Sequence, residues 1–177
     1  MNKRIIALVM ALVLCLASTA ALAANSKTTY DIITTDSPVI TVAAPTAESK
    51  AELDAIAKFV NDGQPVVTYF DEAVQTSIAA SLPAGIDAST LKMDEFFALS
   101  STGSMTVGTS MTLSTAAVYA AGDAVITLGG IVKDDKVEWQ VLPSTVVDGK
   151  IVVQLPAAFA ASVADGSVML AVLSNAN

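Results

Sequence analysis

The chain has 177 residues, with seventeen acidic side chains against nine basic ones, a net charge of −8, and not one histidine. An acidic surface with no basic patch repels nucleic acid and anionic membranes, so neither is expected as a partner. Without histidine the commonest general base, the usual metal ligand and every Ser-His-Asp arrangement are gone.

The first stretch reads as an export signal. Asn2-Lys3-Arg4 is basic, Ile5 to Leu16 is an apolar run too short for a membrane span, and Ala21-Leu22-Ala23 is an A-x-A site. Residues 1–23 are therefore expected to be a signal peptide, cleaved before Ala24. The alternatives are an uncleaved anchor or lipid attachment at Cys15, but bulky Leu14 precedes that cysteine. Cleavage removes Cys15, the only cysteine, and with it any disulfide or thiolate chemistry. Taking Lys3 and Arg4 from the nine basic residues leaves seven against seventeen acids, a mature net charge of −10. No second long apolar run follows, so no membrane span is expected after cleavage. The remaining length suits one domain with a sizeable core. Hydrophobic residues make up 53% of the chain, yet aromatics only 5%, which fits a β-rich fold of small side chains.

Residues 24–46 are rich in Thr, Ala and Ser and broken by Pro38 and Pro45. They read as an extended linker or as an edge strand added to a later sheet. A single globular domain is expected over 47–177, mainly helical over 47–100 and a β-sandwich over 101–177. Ser49 to Asp62 predicts the first helix. Ser49-Lys50-Ala51-Glu52 has the spacing of a capping box, Leu53, Ile56, Ala57 and Val60 share one face, and Gly63 and Pro65 end it. Pro65 to Phe70 reads as a short β-like run. Asp71 is placed to cap a second helix that buries Val74, Ile78 and Leu82 and stops at Pro83-Ala84-Gly85. Leu91 to Leu99 reads as a helical turn running into a strand.

From there the pattern is β. Met105, Val107, Thr109, Met111 and Leu113 share one strand face. Asp123 to Lys133 is a longer strand with Ala124, Ile126, Leu128, Gly130 and Val132 facing in, and Asp134-Asp135 is a turn. In the next strand Val137, Trp139 and Val141 alternate with Lys136, Glu138 and Gln140, which places Trp139 in the core. Asp148-Gly149 predicts a type I′ hairpin, because both central residues need positive φ. Ile151, Val153 and Leu155 form another inward row, and Pro156 to Ala164 can make one or two helical turns. Val168 to Leu173, apolar on both faces, reads as a central strand. The expected fold is α+β: two short N-terminal helices packed on or beside an antiparallel β-sandwich of about six or seven strands.

No catalytic, cofactor-binding or metal residues are assigned, and no cofactor is expected. Ser89-Thr90-Leu91-Lys92 matches S-x-x-K, but its companion S-D-N and K-T-G motifs are absent. Leu142-Pro143-Ser144-Thr145 lacks the glycine and the following span of a sortase signal. The Asp-Gly pairs at Asp62, Asp148 and Asp165 are turn chemistry, and no calcium loop is present. Asp71-Glu72 and Asp94-Glu95 are adjacent acids that would have to meet across a cleft to hydrolyse a glycoside. Tyr30, Tyr69 and Tyr119 are too scattered to line a stacking platform for sugar.

Gly122-Asp123-Ala124-Val125, then Val137-Glu138-Trp139-Gln140-Val141-Leu142-Pro143, the Asp148-Gly149 hairpin and Ala171-Val172-Leu173-Ser174 follow one another in a strand, strand, hairpin, strand pattern. Over Val118 to Leu173, about a third of the chain, it resembles short exported immunoglobulin-like modules of Gram-positive gut bacteria. The resemblance implies a sandwich and no particular chemistry. The expectation is an exported, non-enzymatic structural or interaction module of the cell surface or extracellular space, binding another protein or an envelope component. A carbohydrate-binding module is the alternative, and a small acidic hydrolase the second alternative.

Overall fold

Strand Val168–Ser174 (β9) is buried at every residue, and the molecule is layered around it. A computed structural model describes residues 31–34 (backbone only), 40–101, 110–114, 119–120, 122–134, 136–156, 159, 162–163 and 168–175. Nine strands are present among them: Asp31–Thr34 (β1), Ile40–Ala43 (β2), Lys92–Ser101 (β3), Ser110–Ser114 (β4), Val125–Lys133 (β5), Lys136–Leu142 (β6), Ser144–Val147 (β7), Lys150–Gln154 (β8) and β9. They form a four-stranded sheet, β1-β4-β8-β7, and a five-stranded sheet, β2-β3-β9-β5-β6, and every pairing is antiparallel. Helices Ala47–Asn61 (α1) and Glu72–Ser81 (α2) make the fold α+β, and among the described residues Phe159, Ser162 and Val163 are helical as well, as expected within Pro156 to Ala164.

The five-stranded sheet is covered on both faces, which is why β9 lacks a polar side. On one face Phe97 and Leu99 of β3 and Val168, Leu170 and Val172 of β9 meet Met111, Leu113, Ile151 and Val153 of the smaller sheet, with Leu142 and Phe159 filling in. On the other, Ile126, Leu128, Ala171 and Leu173 meet Ile56 of α1 and Val74 and Ile78 of α2. Strand β5 is therefore two-faced. The inward set read from its sequence lies on the helix side, while Thr127 and Gly129 are buried as well. Gly129 leaves room for Phe159: a Cβ there would stand 2.2 Å from its ring.

The strand count exceeds six or seven because the sheet begins earlier than residue 101. The stretch read as linker or edge strand supplies two edge strands, β1 and β2, one per sheet. Lys92–Ser101, assigned to the mainly helical part, is a full strand beside β9. Its adjacent Phe96 and Phe97 point into two different cores, so the polar–apolar alternation that marks a half-buried strand is missing. The helical turn that precedes it is the short 3₁₀ segment Ala88–Thr90.

Two local readings also change. Helix α1 starts earlier than Ser49: Thr46 is its cap and its hydroxyl oxygen accepts from the Ser49 amide at 3.2 Å, while Ser49 itself is buried in the first turn. Pro65–Phe70 is no strand but a 3₁₀ turn, Val66–Tyr69. Pro65 fixes the entry, and both the amide and the hydroxyl of Thr68 donate to its carbonyl, so local bonds replace a ladder. The end of α2 and its Asp71 cap follow expectation, the carboxylate accepting from the Val74 amide at 2.9 Å.

In the hairpin between β7 and β8, Asp148 and Gly149 have φ of 51° and 74°, as a type I′ turn requires. Leu142-Pro143-Ser144-Thr145 is a corner. The chain leaves the five-stranded sheet at Leu142, enters the four-stranded one at Ser144, and the Pro143 carbonyl accepts from the Gln154 amide at 2.9 Å. Met105, Val107, Thr109, Asp135, Asp165 and most of Pro156 to Ala164 lie outside the described residues, as does the expected signal peptide.

Candidate functional site

Trp139 belongs to the edge strand of the five-stranded sheet, on the face that carries Val137 and Val141 toward the helices. It is half-buried there rather than fully enclosed. Phe70 and Phe96 meet it edge to face, with ring centroids 5.5 and 5.9 Å away, and Phe70 in turn meets Tyr69, which meets Phe59. Five aromatic side chains thus form one chain of edge contacts between sheet and helices, a geometry that the ring quadrupole favours.

The indole N–H of Trp139 donates to Oε1 of Glu52 on α1 at 2.9 Å. In the capping-box reading Glu52 would have reached back to its own helix start; with the cap at Thr46 it is a turn further on and free to bind the sheet. Tyr69 joins the same carboxylate. Its hydroxyl is pushed up to about 12, first by burial, then by the Glu52 charge and the hydrogen bond to it. Glu48, exposed in the first turn, is held below the usual carboxylate range by a backbone amide and by the Thr46 hydroxyl.

Outside this clasp runs an open groove of about 630 Å³, lined by Ala47, Glu48, Ala51 and Glu52 of α1 and by Lys136 and Val137 of β6. The small residues Ala47 and Ala51 keep its helix wall low. Its other wall is the outermost strand of the sheet, beyond which no further strand pairs among the described residues. Lys136, Glu138 and the Lys133–Glu138 ion pair at 3.3 Å place charge along that edge, a common guard against open-ended strand pairing.

The other singled-out residues take local roles. Ser89 and Lys92 are exposed, and the Ser89 amide donates to Asp87 at 2.8 Å, a turn bond that also holds the Asp87 carboxyl below its ordinary range. Asp71 caps α2, with Glu72 in its first turn. Asp94 and Glu95 lie on β3, where a bulge interrupts the pairing between Met93 and Glu95. The extra residue, Asp94, accepts hydrogen bonds from the hydroxyls of Tyr119, at 3.1 Å, and Ser174, while Glu95 is buried. Among the described residues no three of His, Cys, Asp or Glu gather closely enough to hold a metal ion. No described helix is long and apolar enough to cross a membrane.

Sequence reasoning found Trp139 and its face but missed Glu52, whose spacing gave it a cap role, and the groove itself. No family model matches the chain, and neither a curated protein nor a solved structure was found to be significantly similar to it.

Proposed function

We propose that the protein is an exported interaction module that binds another protein or an envelope component through the groove between α1 and β6. The observation that carries this reading is an open groove at the free edge of a sheet, braced from behind by the Trp139–Glu52 bond. Edge strands accept extended segments by main-chain pairing, and a rigid neighbouring helix supplies the selective side chains. Export rests on the basic, apolar and A-x-A pattern of residues 1–23, and the immunoglobulin-like resemblance of the C-terminal third agrees with a surface role. The aromatic side chains favour this reading over sugar stacking, since Phe59, Tyr69, Phe70, Phe96 and Trp139 spend their faces and edges on one another.

The test fills the groove. Ala51 is exposed on α1, so Ala51→Trp should leave the melting temperature intact while abolishing retention of the secreted full chain on envelope preparations of the cells that make it. Undiminished retention of a folded Ala51→Trp variant would overturn the reading. Secreted material should begin at Ala24 by mass spectrometry, and a retained Met1 would overturn export by cleavage.

A further inference from the structure

We infer that a second concavity, at the end of the sandwich, is a binding site for a neutral, hydroxyl-rich small molecule such as a single sugar residue. It shares no lining residue with the groove and does not depend on the interaction reading. The cavity measures about 420 Å³, within the range of small-ligand sites. Three separate parts of the chain build it: the end of α2 with Pro83, the loop that leads into β5, and the β7–β8 hairpin.

Its chemistry selects the ligand. Asp123 and Asp148 both line it, and no Lys or Arg does among the described residues. An anion would therefore meet two carboxylates and no counter-charge, and an apolar ligand would strip water from both without replacing its hydrogen bonds. Hydroxyl donors satisfy them instead through charge-assisted bonds. The two carboxylates also have capacity to spare. Asp123 commits Oδ2 to the Ala120 amide at 2.7 Å, which leaves Oδ1, and Asp148 makes no hydrogen bond or ion pair among the described residues. Ser81 and Ser144 bring hydroxyl side chains to the lining, and that of Ser144 can both donate and accept, which matches a ligand whose every polar group does the same. The Ser81 hydroxyl donates to the Ser77 carbonyl at 2.8 Å and so keeps its lone pairs for a ligand donor. Pro83 and Val146 supply apolar wall for the C–H face of a ring. The buried Tyr119 ring closes the wall rather than offering a stacking face, its hydroxyl already donated to Asp94.

The test is a titration of the isotope-labelled mature chain with methyl glucoside, methyl galactoside and methyl N-acetylglucosaminide, followed by amide NMR shifts. At least one glycoside should give saturable shifts confined to residues 122–125 and 144–149. Ser81→Trp, at the exposed end of α2, should abolish them, and Asp148→Asn, which keeps a residue tolerant of positive φ, should weaken binding by roughly tenfold, about 1.4 kcal/mol. Unchanged amide shifts elsewhere in both variants keep the fold in view. The proposal is overturned by the absence of saturable shifts with all three glycosides. It is equally overturned if inorganic phosphate or ethanolamine binds this cavity more tightly than the glycosides, or if the folded Ser81→Trp variant binds like the wild type.

Discussion

Replacing Trp139 removes three things at once: two edge-to-face contacts, the only side-chain hydrogen bond recorded between α1 and β6 among the described residues, and a large part of the wall between sheet and helices. A fully buried Trp→Ala change typically costs about 3–5 kcal/mol. Trp139 is half-buried, and Glu52 can turn to water when its donor leaves, so Trp139→Ala should cost about 2–3 kcal/mol. In a chain of this size that lowers the melting temperature by roughly 5–10 °C. Trp139→Phe keeps a ring against Phe70 and Phe96 and loses the N–H, so it should cost about 1 kcal/mol. Glu52→Ala removes the same bond from the other side, and the double variant should cost less than the sum of the two singles. Urea unfolding of the four proteins measures this cycle. Trp139 is the only tryptophan, so its emission in the wild type should be blue-shifted from the unfolded chain yet partly quenchable, as a half-buried indole is. Additive costs for Trp139→Phe and Glu52→Ala, or a Trp139→Ala variant as stable as the wild type, would refute the clasp.

The other predictions are smaller. Because the folded state raises the Tyr69 hydroxyl to about 12, its contribution is complete below pH 10 and disappears as the pH climbs from 10 through 12. Wild type should therefore lose more stability than Tyr69→Phe over that alkaline range, and parallel profiles would contradict it. Thr46→Ala should cost about 1 kcal/mol as a lost helix cap and exceed the cost of Ser49→Ala; the reverse order would return the cap to Ser49. Gly129→Ala drives a Cβ into the Phe159 ring and should cost about 1–3 kcal/mol, with Phe159→Leu restoring part of it.

What could be read from the sequence was governed by how many faces of an element are buried. Strand β6 has one buried face, so its alternation named Val137, Trp139 and Val141 correctly, and Asp148-Gly149 declared its turn through the backbone alone. Strand β9 was legible for the opposite reason, being apolar throughout and bounded. Strand β3 fell between the two. Its buried faces carry Glu95 as well as Phe96 and Phe97, and a bulge shifts its register, so neither period emerges. The edge strands β1 and β2 are only four residues each, too short for a period to outweigh their Thr- and Pro-rich surroundings. Glu52 was misassigned because two Thr/Ser residues, Thr46 and Ser49, stand three apart at the helix start. Spacing from Ser49 suits a capping box, and only the packing of α1 against β6 decides between them. The groove and the sandwich-end cavity join residues far apart in sequence, which no local pattern encodes.

Docking of a partner in the α1–β6 groove can be tested by placing a photo-crosslinking amino acid at Ala51 in the full chain and irradiating the cells that make it. A matched position on the exposed face of α2, Ala79, serves as the comparison. A discrete adduct is expected from position 51 that is absent from position 79 and is lost when Lys136→Glu reverses the charge on the opposite wall of the groove. No adduct at position 51, or the same adducts from both positions, would contradict it.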